Sequence, residues 1–202
     1  MTGNTAPTKS KLMETKASLE LAQTGYDLMD RKRSIYLREA GKYTERAEAA
    51  EERVKNAIAK ASAALRASAE SGDNINIAAA CTPVENTVTV TIENVLGIDV
   101  PTFSTEPRGN ALPYPLGSTS ARLDRAYFAW GEVASALCEL ATVRAAAERL
   151  VSAAEKTSRR ENALGNVMIP RLKETERNIT ETLEEREREE FSRLKVIKAD
   201  SE

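Results

Sequence analysis

The 202-residue chain contains no histidine, and this absence removes the commonest general base. Ser-His-Asp and Cys-His arrangements are excluded, and no Gly-rich phosphate loop of the Walker type occurs. Aromatic residues make up 4% of the chain, too few for an ordinary globular core. There are two cysteines, Cys81 and Cys138, without metal-ligand spacing. The apolar runs fall far short of the roughly 20 residues that a membrane-spanning helix needs, so no direct membrane insertion is expected. With 29 Lys and Arg against 31 Asp and Glu, the net charge of -2 gives no electrostatic case for a nucleic-acid partner. No signal-like apolar run opens the sequence, so the expectation is a cytosolic, reduced chain with no cofactor and no metal.

What the chain has is charge, at 30%, and abundant alanine, the composition of long helices. After a loose tail over 1-8, in which Pro7 and Thr8 offer helix-start chemistry, a helix is expected over 9-70. A heptad frame anchored on Leu12 places Thr15, Leu19, Ala22, Tyr26, Met29, Arg33, Tyr36, Ala40, Tyr43, Ala47, Ala50, Val54, Ala57, Ala61, Ala64 and Ser68 on one seam. Only Thr15, Arg33 and Ser68 are not apolar. So long a seam specifies a coiled coil, and at 1.5 Å per residue the helix would span ~90 Å.

Residues 71-119 break the period. Val84, Val88, Val90 and Ile92 alternate with polar residues as in a half-buried strand, for which Ile75 and Ile77 are the expected hairpin partner. The prolines and glycines of 101-117 predict a loop, with Ser118 to Ser120 as candidate caps for a further helix. That second helix is expected over 120-198, ahead of a tail at 199-202. Its seam reads Val133, Leu137, Leu140, Ala147, Val151 and Ala154, with Arg144 as an exception. It turns polar at Ser158 and Glu161, recovers at Met168, Leu172 and Ile179, and slips one position to Leu183, Leu194 and Ile197. Pro170 predicts a kink costing about 3 kcal/mol. Two helices flanking one insertion fold most simply as a mainly α, long antiparallel two-helix coiled coil, with a small β-hairpin insertion at the end opposite the termini. In that register Arg33 falls opposite Glu161, and an interhelical ion pair there would fix the alignment.

The run Glu184 to Glu190 reads as a solvated face whose alternating charges satisfy one another. Arg31-Lys32-Arg33 reads the same way in preference to a phosphate site, and the sequon Asn178-Ile179-Thr180 as chance. Tyr26, Tyr36 and Tyr43 read as packing residues, whereas Phe128 and Trp130 suit either packing against the hairpin or a partner.

Three stretches resemble one family. They are Pro7-Thr8-Lys9 with Leu12, Lys16, Leu19, Ala22, Gly25, Leu28, Met29, Lys32 and Arg33; Asn94-Val95-Leu96-Gly97-Ile98-Asp99-Val100-Pro101; and Arg159-Arg160-Glu161-Asn162-Ala163-Leu164 through Val167-Met168-Ile169-Pro170-Arg171-Leu172 to Glu187-Arg188-Glu189-Glu190-Phe191 with Leu194-Lys195. Together they are similar to the D subunit of the V-type (archaeal and bacterial A/V-type) rotary ATPases and ATP synthases, the central-stalk rotor shaft. The departures are Gly165, where members usually carry an acidic residue, and Glu176, where an apolar one is common.

The resemblance implies a non-catalytic axle whose paired termini penetrate a ring of catalytic A and non-catalytic B subunits. Its insertion would meet the F subunit of the stalk and the subunit linking the stalk to the membrane rotor, at the cytoplasmic face of the membrane. It marks Arg159, Asn162, Pro170, Arg171 and Leu172 as the shaft motif and kink, and Phe191, Leu194, Val196 and Ile197 as the candidate bearing in the ring. The rival readings are a prefoldin-like chaperone and a generic coiled-coil tether, which share two helices joined by a hairpin or the periodicity alone.

Overall fold

The structure is a computed structural model, and it describes residues 7-82, 88-106, 112-115, 117 and 119-199. The chain is mainly helical, a helical hairpin with one small two-stranded antiparallel sheet. Its elements are α1 (Lys9–Glu70), α2 (Ile75–Cys81), β1 (Val88–Val95), β2 (Ile98–Thr105), α3 (Ala121–Ala163), a π-helical turn (Leu164–Met168) and α4 (Ile169–Ala199). They form two compact units: 1-35 with 154-202, and 36-153.

In the first unit α1 begins where the Thr8 hydroxyl accepts the Lys11 N–H at 3.2 Å, so Thr8 caps the helix and Pro7 precedes the cap. The two chain segments run antiparallel. Lys9 meets Glu187 at 2.8 Å, Lys16 meets Glu176 at 3.9 Å and Arg33 meets Glu161 at 2.9 Å, one partner rising in number as the other falls. Every seam position of α1 here, Leu12 to Arg33, is buried or half-buried. Thr15 is accommodated because its hydroxyl donates to the Lys11 carbonyl at 2.8 Å.

The second strand of that seam contains an offset. Up to Glu161 and Leu164 it follows heptads; after the π turn it passes through Ile169, Leu172, Glu176, Ile179 and Leu183. Unbroken heptads would have used Met168, Arg171, Thr175 and Asn178, all of which are exposed. The seam has advanced by one residue, the one residue that a π turn inserts. Its defining bond is present, the Ile169 N–H donating to the Leu164 carbonyl five residues back. Pro170 follows at once, at a point where an α-helix would lose a bond and meet the proline ring. The expected recovery of the seam at Met168 is therefore corrected to Ile169. Leu194 and Ile197 are likewise exposed and take no part in a seam.

In the second unit α1 and α3 are again antiparallel, with Arg53 to Glu139 at 2.8 Å and an Arg144–Glu51 pair. The α1 seam from Tyr36 to Ser68 is buried or half-buried throughout. On α3 the Val133, Leu140, Ala147 series is inside, but the intervening series is Ala136, Val143 and Leu150, one residue before the expected Leu137, Arg144 and Val151. Leu150 is 0% exposed against 42% for Val151. The correction has a simple cause: a seam alternates steps of three and four, and adjacent apolar residues satisfy either order.

The insertion departs further from expectation. Ile75 and Ile77 are not a strand but part of α2, whose cap is Asn74, its side-chain oxygen accepting the Ile77 N–H at 3.2 Å. The partner of β1 is β2, in register from Val88 opposite Thr105 to Val95 opposite Ile98. Leu96 and Gly97 both have positive φ, 55° and 79°, which makes a two-residue primed turn, and the Gly97 N–H donates to Asn94 at 3.0 Å. Residues 101-105 therefore belong to β2, not to the expected loop. Pro101 sits opposite Ile92, at a pair where the missing N–H would point away from β1. Two residues on, the Phe103 N–H uses that same outer edge to reach the Thr142 hydroxyl at 2.9 Å.

β1 is exposed rather than half-buried, with Ile92 at 73%. Val84, Glu85 and Thr87 lie outside the described residues, as does Ser118. A small core of Ala78, Tyr114 and Leu123 closes the base of the insertion. The Tyr114 hydroxyl donates to Asp124 at 2.9 Å, and burial together with that carboxylate pushes its ionisation well above the usual phenol range. Asp73 ties α1 to the start of α3: Ser68 and Ser120 hydroxyls each donate to it at 2.6 Å, and the Ser120 N–H at 2.9 Å. These bonds, Ser120's first, hold the Asp73 carboxyl below its ordinary range. The seam's last polar position, Ser68, thus has its partner.

Candidate functional site

The shaft-motif, bearing and ion-pair residues singled out in sequence all fall in the first unit. Arg33 occupies a seam position of α1, and Glu161 the facing seam position of α3, where it is 6% exposed. Arg33 Nε stands 2.9 Å from Glu161 Oε2, but neither atom has an aligned hydrogen bond. The directed bond from the guanidinium goes instead to Asp30, at 2.8 Å. Asp30's bond and then the Glu161 charge raise the Arg33 ionisation above its already high value. The charge thus stays fixed at the seam across the whole accessible pH range.

The motif residues do not converge on one point. Arg159, Asn162, Pro170 and Arg171 are exposed, and Leu172 is half-buried in the seam. Between them lies the π turn, where the two helices come very close. A methyl group added to Gly165 would stand 2.8 Å from Tyr26 Cε2, so the tyrosine ring covers the glycine backbone. Leu164 in turn reaches over Gly25. Glu176, polar at a seam position, is answered across the seam by Lys16.

Phe191, Leu194, Val196 and Ile197 lie on the last turns of α4 and are all exposed. At 100° per residue they do not form a single stripe: Phe191, Leu194 and Ile197 share one side, and Val196 projects from the other. Lys195 lies 4.8 Å from the Phe191 ring centroid. Below this tip Arg186 donates to the Pro7 carbonyl at 3.2 Å, and Lys9 holds the Glu187 carboxyl below its ordinary range while its own ionisation rises.

Among the described residues no cluster of three or more His, Cys, Asp or Glu is placed to hold a metal ion, and no helix is long and apolar enough to cross a membrane. Phe128 and Trp130 on α3 are partly exposed, with Tyr127 edge-on to the Phe128 ring at 5.6 Å.

Sequence reasoning missed one feature. Leu21, Leu28 and Ile35 recur every seven residues on the outside of α1 and are exposed. The signal was present as a second heptad series beside the seam, overshadowed by the longer one.

Residues 11–199 match the family described as the D subunit of ATP synthase. The V-type ATP synthase D subunit of Thermotoga neapolitana is 36% identical, covering 96% of both chains. That of Thermus thermophilus is 35% identical over 96% of this chain and 87% of its own. The A-type ATP synthase D subunit of Methanopyrus kandleri is 34% identical over 95% and 84%. With matches that span both helices and the insertion, the chain belongs to the ATP synthase D subunit family.

Proposed function

We propose that this chain is the central-stalk rotor shaft of a V-type or A-type rotary ATPase, transmitting torque between an ion-driven membrane rotor and a catalytic ring. The observation that carries the reading is the family match along almost the whole chain, joined to a helix pair whose seam is sealed but whose coat is charged. Torque passes along helices that cannot slip past each other, and the unlike seam side chains and the ion pairs between facing segments within each unit, such as Arg33–Glu161 and Arg53–Glu139, supply that resistance. The exposed apolar side chains at the end of α4, Phe191, Leu194, Val196 and Ile197, are suited to a bearing in the ring of A and B subunits.

In this reading the chain catalyses nothing itself. The angular position of an asymmetric shaft biases each nucleotide site of the ring among states of different affinity, coupling ion movement to ATP synthesis or hydrolysis. The insertion meets the F subunit and the rotor linker, and the complex lies at the cytoplasmic face of the membrane. Mixing the purified chain with the A and B subunits of its own organism tests this. One copy per ring with altered ATPase turnover is the expected result, and failure to join the ring would overturn it.

A further inference from the structure

The two outer edges of the hairpin differ in how they are closed. In an antiparallel pair, residues directly opposite each other either exchange both backbone bonds or turn both N–H groups outward. Phe103 uses its outward N–H on the Thr142 hydroxyl, and it stands opposite Val90. Val90 therefore also faces outward, and with a period of two so do Val88, Ile92 and Asn94. On β2 the outer edge is closed, by the proline at 101 and by the bond from Phe103 to α3. On β1 it is open. No backbone bond reaches it among the described residues, and Val88, Val90 and Ile92 are 45%, 55% and 73% exposed.

Open strand edges are ordinarily guarded by a lysine, a proline, a bulge or a covering segment. β1 reads Val-Thr-Val-Thr-Ile-Glu-Asn-Val, without a basic residue, proline or glycine, and it pairs with β2 without a bulge. The strand is also its own complement. An antiparallel copy centred on Thr91 sets Val90 against Ile92, Val88 against Asn94 and Thr91 against Thr91. The one carboxylate, Glu93, then falls opposite Thr89 and not opposite a second carboxylate. Along Val88 to Asn94 this alignment matches outward-facing residues with outward-facing residues. Centring on Val90 or Ile92 instead would carry one end of each strand past the limits of the other.

We infer that β1 is a self-association surface on which a second copy of this chain pairs edge to edge, joining the two-stranded sheets of both copies into one antiparallel sheet. The backbone donors and acceptors that face outward on one copy meet their counterparts on the other, and the valines and isoleucine extend one apolar face across the join. An edge pairing alone is a small contact, so the dimer comes apart on dilution. The inference goes beyond the rotor-shaft reading and does not rest on it. A shaft present once per ring would part from its copy on assembly, and the dimer is a state of the free chain.

Analytical ultracentrifugation of the purified full chain over a range of concentrations tests this, with circular dichroism to show that each variant keeps its helices. The parent is expected to pass from one chain to two as its concentration rises. Val90→Pro removes one outward donor from each copy while sparing the bonds to β2, as Pro101 already does on the other strand, and is expected to weaken the dimer by about tenfold or more. Val90→Lys/Ile92→Lys sets like charges across the join and is expected to leave single chains. Val90→Glu/Ile92→Lys sets opposite charges there and is expected to pair again. Leu21→Ser/Leu28→Ser, on the exposed outer series of α1, is the control and is expected to dimerise as the parent does. A parent that stays a single chain at every concentration overturns the inference. So does a dimer that survives the proline and lysine variants unchanged or is lost in the leucine variant, because the contact then lies elsewhere. Equal behaviour of the two charge variants overturns the alignment on Thr91.

Discussion

Arg33 Nε lies 2.9 Å from Glu161 Oε2 across the seam of the first unit, at a contact that is attraction between charges and not an aligned hydrogen bond. The carboxylate is the more buried partner, so it suffers more when the pair is broken. Removing the guanidinium in Arg33→Met should lower Tm, because it leaves a buried charge without compensation. Replacing both, Arg33→Met with Glu161→Leu, should recover most of that loss. Thermal unfolding of the two single variants and the double variant measures the coupling, and a double variant no better than the worse single one would refute it.

Gly165 is the tightest approach in the same unit. A Gly165→Ala variant places Cβ against the Tyr26 ring, and either the ring or the π turn must shift. Overpacking of this kind costs about 1–3 kcal/mol. Combining it with Tyr26→Ala should shrink the added cost of the alanine, as read by chemical denaturation.

The one-residue offset of the seam makes a separate prediction. Deleting Val167 removes the inserted residue and leaves Glu161 and Ile179 on a single heptad frame, so the protein should fold with both seams intact. Deleting Thr175 rotates Ile179 and Leu183 away from α1 and should melt the C-terminal part of α4. Circular dichroism separates the two variants, and equal losses would show that the π turn does not set the register.

In the second unit, Leu150→Ala should cost about 2–5 kcal/mol as a core truncation. Val151→Ala, at the neighbouring exposed position, should stay within about 0.5 kcal/mol. The reverse ranking would restore the seam expected from sequence.

The pH dependence follows from carboxyls held below their ordinary range: Asp73 by the Ser120 and Ser68 hydroxyls, Glu51 by Arg144 and Glu187 by Lys9. A depressed folded-state value means that stability is present above the unfolded carboxyl range, near pH 4, and is lost as pH falls through the folded values. Lys9 and Lys55 are raised, by Glu187 and Glu52 respectively, so their contribution persists through neutral pH and is lost only at the alkaline end. Tm should therefore be flat around neutrality and drop below about pH 4. In Asp73→Asn the acid drop should be shallower and the neutral Tm lower.

How much of this was legible differs between the two helices for a physical reason. Along α1 one frame runs from Leu12 to Ser68 with only Thr15, Arg33 and Ser68 polar, whereas the neighbouring apolar series of Leu21, Leu28 and Ile35 is short, so the longer frame prevails. Along α3, Leu150 and Val151 or Ala136 and Leu137 are adjacent and equally apolar, and the choice is made only by contact with α1. The insertion was harder. Ile75-Asn76-Ile77 has the alternation of a strand, but Asn74 caps it as a helix start, and the turn at Leu96-Gly97 pairs β1 forward instead of backward. The exposed character of β1 was not readable at all, since alternation reports that a strand has an apolar face and not whether anything covers it. Phe191 and Ile197 were recognisable as apolar on a charged segment, while their angular spread, with Val196 on another side, needed the helix to be drawn.

The alanine-lined seam of the second unit has a consequence for how the chain finds its structure. Ala40, Ala47, Ala50 and Ala61 are buried, and identical small side chains look alike to a partner displaced by seven residues. A slid pairing would lose little there, so a folding chain faces near-degenerate wrong alignments one step away. Only the unlike positions distinguish them, such as Tyr36, Val54 and the Arg53–Glu139 pair. They work as the notches on a key, and a chain in which they were all made alanine would keep its helices while forgetting where along each other they belong.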